Sequence, residues 1–229
     1  MGIEVKLKQI SPNILEKLLN YPDFFVLFTS AEWLPDSIYW QKYQRPDLPP
    51  YILELMASQQ NVVTEILQDL QVNKPKEYES LRSEIPLILE KGKILSLDLH
   101  KEWHLLSFLN TGYKGMNLLP FLIEKNGEDN LLAVNAILCG TETTCQATYG
   151  FYRYLIPDEV TQIAEVLKSF SKEIIKERFN RGSLRKLDIY TVDWGEEEEF
   201  DLALEYCEKL ANYYQSAAKQ GNAMLLYFT

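Results

Sequence analysis

The 229 residues, 46% hydrophobic and 12% aromatic, hold ample material for a packed core, which excludes a disordered, fibrous or disulfide-stapled chain. A net charge of −10 repels nucleic acid phosphates, so general DNA or RNA binding is not expected. Cys139, Cys145 and Cys207 are too few and too scattered for an extracellular disulfide framework, and they suit a reducing cytoplasm.

Near the start, Ile3, Val5 and Leu7 alternate with charged residues, the pattern of a strand with one buried face. No apolar signal segment is visible there, and Lys6 stands where a myristoylation signal needs Ser or Thr. Ser11-Pro12 opens a helix whose stripe is Ile14, Leu15, Leu18 and Leu19, and Tyr21-Pro22 stops it. Phe24 to Phe28 is a compact apolar run. Trp33, Tyr39, Trp40 and Tyr43 sit at helical spacing, before a proline-rich break over 45–50. Helices are predicted over 51–70 and 75–85, the latter ended by Pro86.

Leu97-Asp98-Leu99 leads into a helix through Trp103, Leu106 and Leu109, closed by Thr111-Gly112. Leu118 to Ile123, the longest apolar run, is far below the ~20 residues that cross a bilayer, so no membrane span is expected and the compartment is read as cytoplasmic. Val134 to Leu138 is an apolar stretch, 147–155 a strand rich in Tyr and Phe, and Pro157 opens another helix. The last helix carries one stripe from Phe200 through Leu210 to Ala218, with Glu196 to Glu199 at its positive end. Gly221 suits a left-handed cap, and Met224 to Phe228 a terminal strand buried on both faces. A few strands among many helices imply an α/β fold with a mixed β-sheet flanked by helices.

Leu97-Asp98-Leu99, Lys101, Trp103-His104, Phe108-Leu109 and Thr111-Gly112 resemble the signature of the YfbM-like family of domains of unknown function. Ala136-Ile137-Leu138 with Gly140, Tyr154-Leu155 with Pro157 and Glu159-Val160, Ile189-Tyr190 and the ending Tyr213-Tyr214 to Leu226 follow in the family's order. The resemblance covers about 1–22 and 94–229. It implies a three-layer α/β domain spanning 1–229, with 23–93 a variable, mostly helical portion, and it implies no activity. Ser107 stands where members often carry a histidine, and Cys139 replaces a common glycine before Gly140.

His100 and His104, the two histidines, are four apart on a predicted helix, a spacing that can set two imidazoles on one face as metal ligands. Lys101 occupies the position where the zinc-protease pattern needs glutamate, and no further Cys or His is close in sequence. A capping or surface His100 and a partly buried His104 are the plainer reading, and no metal or cofactor is expected. Catalysis would use His104 as general acid or base, with Asp98 or with Cys139 as nucleophile. No Gly-x-Ser-x-Gly elbow, phosphate loop or dinucleotide fingerprint accompanies them.

Tyr149, Phe151, Tyr152, Arg153 and Tyr154 offer a ligand pocket in which Arg153 grips an anion, with Trp103 and Tyr113 as further contacts; such residues more often divide between core and surface. Seven basic residues between Lys168 and Lys186 (168, 172, 176, 178, 181, 185, 186) are followed by seven acidic ones from Asp188 to Asp201. These blocks suit either solvated faces or a charge-steered protein partner. The leading expectation is a non-enzymatic interaction or ligand-binding domain that meets a protein partner through its acidic surface. The rival is a hydrolase or transferase of small molecules built on His104.

Overall fold

The computed structural model describes residues 2–41, 49–115, 119–123, 129–180, 189 and 197–229. Two compact units emerge: Met1–Pro12 with Leu97–Thr229, and Asn13–Ser96.

The first unit holds a five-stranded sheet of β1 (Val5–Ile10), β2 (Leu97–Asp98), β3 (Thr141–Gln146), β4 (Tyr149–Leu155) and β5 (Ala223–Phe228), in the order β2-β1-β5-β4-β3. The class is α/β as predicted, but every pairing between these strands is antiparallel, where a mixed sheet is expected. The connections explain this. Only Ala147 and Thr148 separate β3 from β4, a loop that antiparallel neighbours alone permit. Between β4 and β5 lie three described helices, not the single crossover helix that links parallel neighbours. β3 is not signalled by its sequence, Thr-Glu-Thr-Thr-Cys-Gln, because only Thr143 and Cys145 face inward.

Among its described residues this unit has the helices α7 (Trp103–Thr111), α8 (Pro157–Lys168), α9 (Lys172–Asn180) and α10 (Glu197–Lys219); the second unit's α1 to α6 are placed below. Val5, Leu7, Leu155, Met224 and Leu226 turn to one sheet face. They share a single core with Trp103, Leu106 and Leu109 of α7, Val160 and Ile163 of α8, and Leu210 and Tyr214 of α10. Each such fully buried apolar side chain contributes roughly 1.5–3 kcal/mol relative to exposure.

All of α7 is buried, so its polar side chains must bond internally. Asn110 donates to the Leu106 carbonyl at 2.7 Å and Thr111 to the Ser107 carbonyl at 2.7 Å. Gly112 ends the helix at φ 76°, its N–H returning to Phe108 O at 2.7 Å. Pro157 begins α8 as predicted, and Glu159 reaches back to the Ile156 N–H at 2.9 Å.

The described residues of the second unit are helical: α1 (Pro12–Asn20, its first residue at the boundary), α2 (Phe24–Ser30), α3 (Ile38–Gln41), α4 (Pro50–Asn73), α5 (Pro75–Leu81) and α6 (Ile85–Gly92). The run Phe24 to Phe28 is a helix whose Phe24, Phe25, Leu27 and Phe28 are buried. Pro86 does not end a helix over 75–85; α5 stops at Leu81, and Pro86 sits in the first turn of α6, where its missing N–H costs nothing. Gly92 is obligatory for packing, since a Cβ there would collide with the Phe28 carbonyl oxygen. Tyr43 and the break over 45–48 lie outside the described residues.

Candidate functional site: an aromatic cavity at the sheet edge

The site is built where α7 meets β4 and the end of β5. Trp103, 1% exposed, donates its indole N–H to Ile3 O at 2.9 Å and meets the Phe228 ring edge-on, with centroids 5.5 Å apart. Beside it, β4 carries an irregularity. Tyr149 pairs with Phe228 and Arg153 with Leu226, so four steps along β4 match two along β5. β3 is displaced against β4 in the same region, between Glu142 and Gln146. Bulges of this kind re-aim side chains, and Gly150, at φ 74°, supplies the left-handed backbone the bend uses.

A cavity of about 320 Å³ results, lined by apolar Ile3, Trp103, Leu138, Phe151 and Phe228, with Tyr149 and Gly150 beside them. Its charged lining is one pair: Arg153 Nη2 donates to Glu142 Oε2 at 2.5 Å, while Nη1 donates to Gly140 O at 3.2 Å. Arg153's side chain is only 14% exposed and Glu142's 49%, so the guanidinium is fixed and the carboxylate is the more movable partner. Tyr149 and Phe151, at 43% and 36% exposure, form a rim open to solvent.

Of the ligand-binding candidates, Trp103 and Arg153 reach this cavity. Tyr152, one residue from Arg153, points to the opposite sheet face and packs on Tyr227 at 5.3 Å. Tyr113 is half-buried, its backbone N–H bonded to Thr111 Oγ1 at 3.1 Å, and does not line the cavity. Glu142 and Phe228 were not legible as site residues: cross-strand pairing alone brings them to Arg153 and Tyr149.

The catalytic candidates do not converge. His104 is 3% exposed, stacked on Trp103 with centroids 5.1 Å apart, and its Nε2 lies 3.1 Å from the Lys114 carbonyl. A carbonyl only accepts, so this pairing requires hydrogen on Nε2 and turns that nitrogen into a structural donor. Asp98 lies in β2, bonded to the His100 N–H at 2.8 Å and 3.4 Å from Lys6 Nζ. Burial pushes the Cys139 thiol far above its ordinary range, Glu159 adds to this and Arg153 offsets it in part, so no thiolate forms near neutral pH. Nor do the two histidines share a helix face. His100–Glu102 is a 3-10 turn and α7 begins only at Trp103, which leaves His100 exposed and His104 in the core.

The charge blocks change character too. Arg178 is wholly buried and not a steering cation, while Arg181, Arg185, Lys186, Asp188, Tyr190, Asp193 and Glu196 fall outside the described residues. No helix among the described residues is long and apolar enough to cross a membrane.

A sequence family described as "Domain of unknown function (DUF1877)" matches residues 1–227, running through the helical 23–93 as well. The chain belongs to this family. No curated protein matches it. Among solved structures it is similar to a protein of unknown function, YfbM, from Escherichia coli, at 17% identity over 99% of each chain and a TM-score of 0.52. That likeness carries the fold, and it bears out the YfbM-like resemblance of the second-half motifs. Neither family nor fold assigns the DUF1877 chain a reaction.

Proposed function

We propose that this protein binds a small, mainly apolar molecule in the sheet-edge cavity and performs no covalent chemistry on it. The carrying observation is the lining itself: Trp103, Tyr149, Phe151 and Phe228 around about 320 Å³, with one charged pair. Apolar walls with a few placed polar groups characterise small-molecule sites, and this volume lies at their lower end. Among the described lining residues there is no imidazole, thiol or serine hydroxyl, and the one carboxylate, Glu142, is held by Arg153. Arg153, restrained by Gly140 O, offers a ligand carboxylate the place that Glu142 holds.

Ligand-observed NMR with a library of aromatic carboxylates and their neutral analogues tests this reading. Hits are expected among the carboxylates and should vanish in Tyr149→Ala/Phe151→Ala, whose rim positions leave the core intact. A library without hits, or hits indifferent to that double substitution, refutes it.

A further inference from the structure

His100, separated from His104, meets two carboxylates instead. One donor atom from each of Glu4, Asp98 and His100 lies within 4.8 Å of the others. Ligands at about 2.0–2.4 Å from one ion stand roughly 3 to 4.8 Å apart, a range that the separations of these three donors do not exceed.

The three residues come from two segments: Glu4 just before β1, and Asp98 with His100 two residues on. Glu4 exchanges two backbone hydrogen bonds with Thr229, at 3.0 and 2.9 Å. Asp98 is fixed opposite Lys6 in the β1–β2 register. His100 is set at φ 46°, its N–H on Asp98 Oδ1 at 2.8 Å and its Nδ1 at 3.5 Å from the same oxygen. Oδ1 accepts that N–H and Oδ2 faces Lys6 Nζ at 3.4 Å, and a carboxylate has lone pairs for further partners on both oxygens.

We propose that Glu4, Asp98 and His100 form a site for a divalent cation of borderline softness, with Zn²⁺ the best match. Two oxygens and one imidazole nitrogen favour such an ion over Mg²⁺ or Ca²⁺, which prefer oxygen throughout. Asp98 faces the Lys6 ammonium, and the Glu4 carboxylate adds a second negative charge that favours an incoming cation. The site is independent of the aromatic cavity, none of whose lining residues it uses.

Isothermal titration of the full chain with ZnCl₂ tests it, beside His100→Asn and Glu4→Gln. Asparagine tolerates positive φ, so the first variant removes the imidazole without new backbone strain, and the second keeps the side-chain shape. One Zn²⁺ per chain is expected, bound at least about tenfold more weakly by either variant, with circular dichroism unchanged. Should His100→Asn fail to fold, Glu4→Gln alone decides. The site is overturned if the wild type shows no saturable uptake below about 1 mM. It is equally overturned if neither variant alters the affinity, which would place the ion elsewhere on the acidic surface or on thiols.

Discussion

Arg178 and Asp129 form an ion pair sealed inside the first unit, with Nε 2.9 Å from Oδ2 and side-chain exposures of 0% and 8%. The remaining guanidinium hydrogens go to Asp129 Oδ1 and to the carbonyls of Leu109, Leu131 and Leu132. One side chain thus ties α9 to the last turn of α7 and to the segment after Asp129. The same neighbourhood fixes Gly112, whose added Cβ would stand 3.1 Å from Asp129 Oδ2.

Replacing Arg178 by Met is therefore expected to cost about 3–5 kcal/mol, because it leaves a buried carboxylate and several carbonyls without donors. Urea denaturation measures the loss. The double variant Arg178→Met/Asp129→Asn should lose clearly less than the sum of the single changes, since the orphaned charge is gone. Additive losses would mean that the pair is not coupled.

Two glycines near the cavity separate backbone strain from collision. Gly140 and Gly150 both have positive φ, 91° and 74°. A Cβ at Gly140 would lie 2.7 Å from the Tyr154 carbonyl oxygen, whereas at Gly150 it meets nothing within 4 Å. Gly150→Ala should cost about 1–2 kcal/mol, the penalty of a left-handed non-glycine residue. Gly140→Ala should cost more than Gly150→Ala, because β4 must also shift. Equal losses in thermal or chemical denaturation would count against the tight contact.

The ionisable groups in the core make stability fall at high pH. Burial pushes the Cys207 thiol from 9.0 up to about 12, raises Cys139 further, and holds the Tyr214 phenol well above 10.0 while it donates to Ala136 O at 2.7 Å. Folded chains keep these protons where unfolded chains release them, so above about pH 9 the native state binds more protons and stability declines with pH. For Cys207 the decline runs from about pH 9 to about 12. Urea midpoints from pH 7 to 11 should drop beyond 9, and Cys207→Ala should flatten part of that slope. In the native protein at pH 8, iodoacetamide should label neither Cys139 nor Cys207.

How much of this was legible in the sequence depends on how local each signal is. β1, α1, α8, α10 and β5 announce themselves through period, caps and proline, which act within a few residues. β3 does not, since its outward threonines and acids hide a strand that exists by pairing with β4. Pro86 reads equally as a stop or a start, and the buried face of α6 makes it a start. At the site, the aromatic run 149–154 offered a pocket only beside the commoner split between core and surface, and Glu142 and Phe228 are recruited across the sheet. The alternative of two histidines on one helix face fails for a geometric reason, while the plainer reading, an exposed His100 and a buried His104 bonded to backbone, matches the structure. The four-residue spacing from His100 assumes continuous helix, and the chain changes from 3-10 to α-helix between them.

The Arg153–Glu142 pair decides what the cavity prefers. With Glu142's side chain 49% exposed, the pair itself contributes at most about 1 kcal/mol to stability, so Glu142→Gln should leave the denaturation midpoint almost unchanged. Its effect on binding should be larger and of opposite sign for two ligand classes. Removing the resident carboxylate frees Arg153 for an incoming anion, so aromatic carboxylates should bind severalfold more tightly to Glu142→Gln, while neutral aromatic compounds should be little affected. Arg153→Met should reverse this preference, because the aromatic walls remain and the cation is lost. Competition titrations between a carboxylate and its methyl ester give the ratio directly. A ratio that stays constant across wild type, Glu142→Gln and Arg153→Met would show that the ligand reads only the apolar wall.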